Sequence, residues 1–275
     1  VGTAAGNVIA VYSPQGGAGV TTIATNMATG MMQEGTRVLL IDADLQFGDV
    51  GVFLNLQSNA NIVDLASSIR DLDEAFLENV MAGHPSGLKV LLGPNSPEQA
   101  EKVNPTDVVE VVSVVRRFYD FVIIDLPTQL NDMTLGVLDA ADRIVLVATP
   151  TLPSIKNTRV MLDVFDALNY PKDKIMFVMN RVSQENAGRA YIPIEAIEKN
   201  LKRQTNGRIP LDDKTFLSAV NQGVSVIAKD VGKSPAKELI SLADTVKRTF
   251  APLEEEEPQF DEAPKTTSRL GSLFR

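Results

Sequence analysis

The sequence predicts an α/β protein with a doubly wound, mostly parallel sheet and helices on both faces. Short runs of apolar, mostly β-branched residues recur along the chain and alternate with segments of helical periodicity. These runs are apolar throughout, which is typical of strands buried on both faces of a parallel sheet. The 275 residues, 44% of them apolar, are enough to form one large domain.

The predicted elements alternate in chain order. The predicted strands cover 8–12, 37–42, 88–92, 120–125, 143–148 and 174–181. The predicted helices cover 21–34, 62–69, 72–80, 105–118, 154–168 and 194–201, with two more starting near 215 and 235. We expect residues 208–212 to form a short connector. We expect Ser234 to cap the final helix, with Pro235 in its first turn.

Composition excludes several functions. There is no cysteine, so disulfides, thiolate metal sites and a cysteine nucleophile are excluded. The single histidine, His84, lies in a loop-like Gly-His-Pro context, and we interpret it as a surface residue. A net charge of −9 argues against a broad surface for nucleic acid, because such surfaces neutralise phosphates with basic side chains.

A glycine-rich loop follows the first predicted strand. Gly16, Gly17 and Gly19 allow a tight turn that brings backbone N–H groups close to an anion. Thr21 and Thr22 then open a helix, whose N-terminus favours negative charge. The stretch therefore predicts a phosphate-binding loop. Compared with the pattern G-x-x-x-x-G-K-[ST], the lysine position holds Val20 and the first glycine position holds Pro14.

Polar side chains end three other predicted strands. Asp42 ends the second predicted strand, and Asp44 and Asp49 follow it closely. Asp125 ends an apolar strand in the manner of a Walker B element, where it can hold a water of Mg²⁺. Asn180 ends a further strand, and its side chain offers a donor and an acceptor that suit the edge of a purine. The carboxyl ends of parallel strands are where ligands bind in open α/β sheets.

These residues together resemble the MinD/ParA branch of deviant Walker ATPases, which are P-loop NTPases of the SIMIBI class. The likeness covers residues 8–250. It rests on the glycine loop, Asp42-Ala43-Asp44, Asp125-Leu126-Pro127, Asn180-Arg181 and Ile209-Pro210, which occur in family order. Within the branch, the continuation Leu-Gln-Phe-Gly-Asp after Asp44 is most similar to the CpaE/TadZ proteins of type IV (Flp/Tad) pilus assembly.

The resemblance implies ATP and Mg²⁺ as cofactors. It implies that backbone amides of the loop hold the phosphates, that Thr21 and Asp125 serve the metal, and that Asp44 is the catalytic residue that orients the attacking water. Asn180 and the loop at Pro210 would hold adenine. The implied cofactor-binding residues are Gln15, Gly16, Gly17, Ala18, Gly19, Val20, Thr21, Thr22, Asn180, Arg181, Pro210, Leu211 and Asp212.

The chain departs from the family pattern at three positions. Family members with full activity carry two lysines in the loop, where this chain has Gln15 and Val20. The glycine that usually follows the Walker B element in the pattern Asp-x-Pro-x-Gly is replaced by Gln129. We therefore expect ATP binding and ATP-dependent dimerisation with slow hydrolysis at best, because phosphoryl transfer depends on charge stabilisation.

The two ends of the chain carry separate expectations. We interpret residues 1–7 as the remnant of a linker from an N-terminal domain, and 251–275 as an acidic linker with a short amphipathic end. That end resembles the membrane anchor of MinD, although its few apolar side chains predict only weak lipid contact. No apolar run approaches the roughly 20 residues that cross a bilayer. We expect a cytoplasmic protein, placed peripherally at the membrane or cell pole.

The favoured hypothesis is a homodimeric localisation factor that binds ATP between two protomers and positions components of a pilus secretion machine. Three alternatives remain open: a scaffold that dimerises without nucleotide, an ATPase of division-site placement or DNA partitioning, and a dinucleotide oxidoreductase. The last matches only superficially, because Thr22 stands where the third glycine of G-x-G-x-x-G belongs.

Overall fold

The computed structural model describes residues 5–69, 74–183, 192–229 and 231–251. Within them one eight-stranded sheet is formed, in the order β3-β4-β2-β5-β1-β6-β7-β8. The strands are β1 Asn7–Tyr12, β2 Val38–Asp42, β3 Ala82–Gly83, β4 Lys89–Leu91, β5 Phe121–Asp125, β6 Arg143–Ala148, β7 Ile175–Val182 and β8 Gly207–Pro210.

Neighbouring strands are parallel except β3, which pairs antiparallel with β4 at one edge. The chain starts in the middle of the sheet with β1 and builds outward first to one side and then to the other. The carboxyl ends of β1, β2, β5, β6 and β7 therefore share one edge, with the reversal of strand order beside β1. Open α/β sheets bind ligands at such a point.

Helices cover both faces. They are α1 Val20–Met31, α2 Val50–Phe53, α3 Ile62–Ser67, α4 Glu74–Val80, α5 Pro97–Ala100, α6 Pro105–Val115, α7 Asp132–Ala140, α8 Leu152–Ala167, α9 Ile194–Leu201, α10 Asp213–Asn221, α11 Val226–Lys229 and α12 Ala236–Arg248. One apolar cluster joins the sheet to α3, α6, α7, α8 and α9. A second joins the opposite face to α1, α10, α11 and α12. The predicted doubly wound α/β class is confirmed.

Several local features differ from the prediction. The expected connector at 208–212 overlaps with β8, Gly207–Pro210, whose single buried residue, Ile209, is too weak a signal to predict a strand. Helix α7 was not predicted, although the side chain of Asn131 caps it by accepting from the Thr134 N–H. Finally, α12 begins at Ala236 and Pro235 occupies its N-cap position, so Ser234 is not the cap.

The predictions for the chain ends fall largely outside the described residues. The acidic linker with its amphipathic end lies there except for Ala251, as do residues 1–4 of the predicted N-terminal linker. Strand β1 begins at Asn7, and the Gly6 N–H already donates to the carbonyl of Arg116 at 2.7 Å. No helix within the described ranges is long and apolar enough to span a membrane.

Gly6 provides a test of packing at the start of the sheet. A Cβ atom at this position would collide with the backbone carbonyl oxygen of Tyr119 and would lie 2.9 Å from that of Arg116. We expect Gly6→Ala to lower the free energy of unfolding by about 1–3 kcal/mol in urea titration, because backbone atoms cannot move aside cheaply. Gly83→Ala is the matched control, since a Cβ there meets open space. Equal stability of the two variants would contradict this prediction.

Candidate functional site

The glycine-rich loop lies between β1 and α1, as the sequence predicts. Gly17 and Gly19 adopt positive φ angles of 73° and 94°, and Gly19 is the N-cap residue of α1. The space that Cβ atoms would occupy at Gly16 and Gly17 is open, so the loop backbone is accessible from outside. The N-terminus of α1 points its unpaired N–H groups towards this opening. The loop can therefore cradle an anion.

Asn180 attaches the loop to the end of β7. Its side-chain amide donates a 2.8 Å hydrogen bond to the Ala18 carbonyl, and its side-chain oxygen accepts from the Arg181 N–H at 2.9 Å. The residue is 4% exposed. A Cβ at Gly19 would collide with this same amide nitrogen, so only glycine permits the close approach. Asn180 thus holds the loop in place, a role that the sequence did not reveal.

Asp42 and Asp125 lie side by side at the ends of β2 and β5. They are register partners on adjacent strands, and both are buried. Burial raises the pKa of Asp42 to about 7, against hydrogen bonds from backbone N–H groups that lower it. Burial and the neighbouring Asp42 carboxyl raise the pKa of Asp125 well above its ordinary value, while the nearby Thr21 hydroxyl lowers it. Two carboxyl groups are thus buried together at this edge of the sheet, where burial disfavours the charged form of each.

The Asp125 carboxyl is incompletely satisfied. Its Oδ1 atom is buried and has no hydrogen-bond partner among the described residues. Thr21, in the first turn of α1, lies beside it. A buried carboxylate oxygen that is left free next to a hydroxyl is a suitable environment for a hard cation, which prefers oxygen ligands. No group of three or more His, Cys, Asp or Glu side chains within the described ranges could hold a metal ion by itself.

Asp42 holds the segment that follows β2 through hydrogen bonds to its backbone. Its two carboxylate oxygens accept hydrogen bonds from the N–H groups of Asp44 and Val50, each at 3.2 Å. Gly48 packs directly against this carboxyl and leaves no room for a side chain. In turn, Oδ1 of Asp44 accepts from the N–H groups of Gln46 and Phe47, both at 3.1 Å. The predicted catalytic carboxylate therefore caps its own turn.

The two positions that lack lysine have different surroundings. The Gln15 side-chain oxygen accepts a 2.9 Å hydrogen bond from the amide of Asn157 in α8. Val20 is partly buried and packs against the apolar cluster on the α1 face. Nothing in the spacing of the sequence indicated the contact between Gln15 and Asn157, which are 142 residues apart. Neither side chain supplies positive charge to the loop.

The residues predicted to hold adenine do come together. One narrow cleft at the loop is lined by Gly19, Thr22, Asn180, Arg181, Pro210, Leu211 and Asp212, with Asp213 and Phe216. Its volume is about 50 Å³. Arg181 has a positive φ of 56°, uncommon for a side chain of this size. The Asp212 carboxylate is already engaged, because it accepts from the Thr215 N–H and hydroxyl at the start of α10.

Gln129 lies in the loop that follows β5. Its backbone carbonyl accepts a 2.8 Å hydrogen bond from the Thr134 hydroxyl in α7. Together with Asp44 and Phe47 it lines a cavity of about 510 Å³ between this loop and the segment after β2. The Phe47 side chain is 76% exposed at this cavity. The two loops that flank the acidic pair thus leave an open space rather than a packed contact.

A family model described as "AAA domain" matches residues 6–176, more than half of the chain. This stretch includes the glycine loop and both buried carboxyl groups, so the chain is a P-loop ATPase domain. Septum site-determining protein MinD from Thermotoga maritima is 25% identical over 252 residues, which cover 90% of this chain and 91% of that protein. The chain belongs to the MinD/ParA-type P-loop ATPase family.

Solved structures support the same assignment. A ParA family ATPase from Chlorobium tepidum has a TM-score of 0.79 at 25% identity, over 86% of this chain and 98% of that one. MinD from Pyrococcus horikoshii, complexed with Mg-ADP, has a TM-score of 0.76 at 23% identity, over 88% and 96%. A MinC:MinD complex from Aquifex aeolicus has a TM-score of 0.73 at 22% identity, over 90% and 98%. The last two show likeness of fold.

Removing the hydrogen bond from the Asn180 side chain to the Ala18 carbonyl tests the structural role of Asn180. We expect Asn180→Ala to lower the free energy of unfolding by about 1–3 kcal/mol without any nucleotide, because it leaves the buried Ala18 carbonyl without its donor. Urea unfolding followed by circular dichroism measures this. Asn221→Ala, at an exposed position at the end of α10, should cost far less. Two variants of equal stability would show that Asn180 does not support the loop.

Proposed function

We propose that the chain binds ATP with Mg²⁺ at the glycine loop and uses the bound nucleotide as a switch for dimerisation. The observation that carries this is the combination of an open, glycine-shaped loop with an unpaired buried carboxylate oxygen beside it. Backbone N–H groups of Gly17 to Thr22 would bind the phosphates without lysine, since the helix N-terminus itself favours anions. ATP bound here supplies the transferable phosphoryl group.

Thr21 and Asp125 are the residues that would hold the metal. Mg²⁺ commonly keeps several waters and is held by one or two carboxylates together with substrate phosphates, so it needs no cluster of three acidic residues. A divalent cation would also offset the charge on the Asp42 and Asp125 pair, which burial otherwise disfavours. The environment of these residues fits the ion.

Adenine would lie at the cleft between Asn180 and Pro210. Asn180 uses one amide N–H for Ala18 and one lone pair for Arg181, which leaves a second N–H and a second lone pair for a base. The cleft volume of about 50 Å³ is small beside the roughly 300–1,000 Å³ of typical ligand pockets. The base would therefore rest against Arg181 and Leu211 rather than be enclosed.

Hydrolysis would be slow. Charge that develops on the phosphoryl oxygens needs positioned positive groups, and the two lysine positions hold Gln15, tied to Asn157, and Val20, packed on the apolar cluster. Asp44, the carboxylate that would orient water, has its Oδ1 atom engaged by its own turn. The chain would therefore keep ATP bound for a long time rather than hydrolyse it rapidly.

The proposed biological role is localisation. We propose that the ATP-bound homodimer positions a Tad-type pilus secretion machine at the membrane or pole, with peripheral contact through the C-terminal residues. The Leu45 to Asp49 continuation and the absence of both lysines support this subtype by resemblance. The exposed Phe47 next to the site offers an apolar contact that a nucleotide-dependent partner could use.

A second candidate is placement of a division site or partitioning of DNA. The names of the similar proteins, a septum site-determining MinD and a ParA family ATPase, favour it. It predicts partner-stimulated hydrolysis or DNA binding. The net charge of −9 and the absent lysines favour the localisation role instead.

Thr21 provides a test of binding. We expect Thr21→Val to weaken ATP binding by about tenfold in the presence of Mg²⁺ and much less in EDTA, because it removes only a metal ligand. Isothermal calorimetry measures both. Thr29→Val is the matched control, since Thr29 lies two turns further along α1 and its hydroxyl donates to the Thr25 carbonyl. Failure of the wild-type chain to bind ATP·Mg²⁺ would refute the proposed function and favour a nucleotide-independent scaffold.

Val20 provides a test of chemistry and of the switch. We expect Val20→Lys to raise phosphate release by about a hundredfold, because it restores a charge at the phosphoryl group. Val20→Met is the control for side-chain length without charge, and Asp44→Asn added to Val20→Lys should abolish the gain.

Light scattering should show the wild-type chain as a dimer with ATP·Mg²⁺ and a monomer with ADP·Mg²⁺. A monomer in both would disprove the switch.

A further inference from the structure

A groove with a volume of about 1010 Å³ lies at the edge of the sheet opposite to the nucleotide site. It is formed where β6 and β7 begin, between α8, the end of α9 and the end of α12. Six cationic side chains line it: Arg143, Arg159, Lys172, Lys202, Arg203 and Arg248. Three carboxylates, Asp163, Asp166 and Asp173, also line it. The groove thus carries a formal excess of positive charge in a chain of net charge −9.

The cations of the groove are not neutralised by close carboxylates. Among the described residues, none of the six takes part in an ion pair within 4.0 Å. Arg143 donates instead to the carbonyls of Asp142 and Thr249, and Arg203 to those of Lys172 and Ile175. These bonds fix the orientation of the two guanidinium groups without a direct ion pair. Fixed cationic groups of this kind recognise carboxylates well.

Two details indicate that an anion would be favoured here. The Nε atom of Arg143 is buried without a hydrogen-bond partner among the described residues. Burial lowers the pKa of the Arg203 guanidinium, and the charge of Asp166 offsets this only in part. A negatively charged occupant would stabilise both guanidinium groups through their charge, because desolvated cations gain most from an added anion.

The chain itself carries a suitable anion. Ala251, the last described residue, lines the groove. The sequence that follows contains six carboxylates and no cation between Glu254 and Glu262. An extended chain advances about 3.3–3.6 Å per residue, so Glu254 can reach about 10 Å from Ala251 and Glu257 about 20 Å. A tethered segment also has a high effective concentration at its site.

We propose that the acidic segment 252–262 of this chain docks into its own cationic groove between the start of β7 and the end of α12. The short tethered segment is favoured over nucleic acid for two reasons. The three aspartates in the groove and the net charge of −9 repel a long phosphate backbone. Docking would position the C-terminal residues on the face opposite to the nucleotide.

The test uses the full chain and a variant whose six tail carboxylates are all replaced by amides (Glu254→Gln, Glu255→Gln, Glu256→Gln, Glu257→Gln, Asp261→Asn and Glu262→Gln). The probe is a fluorescein-labelled peptide with the natural sequence of residues 252–264, and its anisotropy is measured at low salt. We expect the amide variant to bind the peptide at least about tenfold more tightly than the wild-type chain, whose own segment competes with it.

Two charge-reversal pairs locate the binding. Lys172→Glu with Lys202→Glu, added to the amide variant, should weaken binding of the peptide by about tenfold or more. The reason is that two exposed cations of the groove are replaced by anions, which repel the acidic peptide. Lys102→Glu with Lys237→Glu changes the net charge equally at exposed sites outside the groove and should leave affinity nearly unchanged. All four lysines are exposed, so folding should be preserved.

Three results would overturn the proposal. One is equal peptide affinity of the wild-type chain and the amide variant. Another is equal weakening by the two charge-reversal pairs, which would show a general charge effect. The third is binding of a labelled DNA duplex, but not the peptide, by the amide variant. None of these measurements requires ATP binding, so failure of this proposal is distinguishable from failure of the proposed function.

Discussion

The pairing of β2 with β5 brings two carboxyl groups, Asp42 and Asp125, side by side in the interior. The site depends on which groups stabilise these two buried carboxyl groups. Backbone N–H groups of the following segment donate hydrogen bonds to both oxygens of Asp42. By contrast, the Oδ1 atom of Asp125 is buried and has no hydrogen-bond partner among the described residues. The Asp42 carboxyl raises the pKa of Asp125, so the charge of one group affects the other. In the proposed function, a cation at Asp125 would therefore lie next to the carboxyl that holds the segment carrying Asp44.

The glycine loop separates anion binding from catalysis. Its conformation depends on backbone features, namely two positive φ angles and the approach of Asn180 to Gly19 and Ala18. None of these requires lysine. The residues at the lysine positions serve other purposes, since Gln15 contacts α8 and Val20 completes an apolar cluster. The cradle persists while the charge that accelerates phosphoryl transfer is missing. In the proposed function, the fold would thus keep the binding of a ligand while its chemistry is reduced.

The two edges of the sheet have opposite electrostatic character. Acidic side chains concentrate at the carboxyl ends of the strands, around Asp42 and Asp125, and cationic ones at the amino ends, around Arg143 and Arg203. In the two proposals above, the first edge would bind a metal with a phosphate, and the second edge would bind a carboxylate-rich segment. Because they lie at opposite ends of the same strands, a ligand at one edge and a chain segment at the other do not compete for space.

The sequence by itself determined the α/β class, the strand ends that carry the site and the loss of both lysines, because these follow from apolar runs, glycine spacing and residue identity along the chain. It also brought Thr21, Asp125 and Asn180 into one hypothesis. The tertiary structure alone decided that Asn180 supports the loop, that Asp42 holds the segment after β2 and that Asn157 binds Gln15. It alone assembled the cationic groove from five elements distributed along the sequence. Hydrogen bonds and charge clusters between remote segments leave no periodic trace in the chain, since they depend on how helices and strands are placed in space.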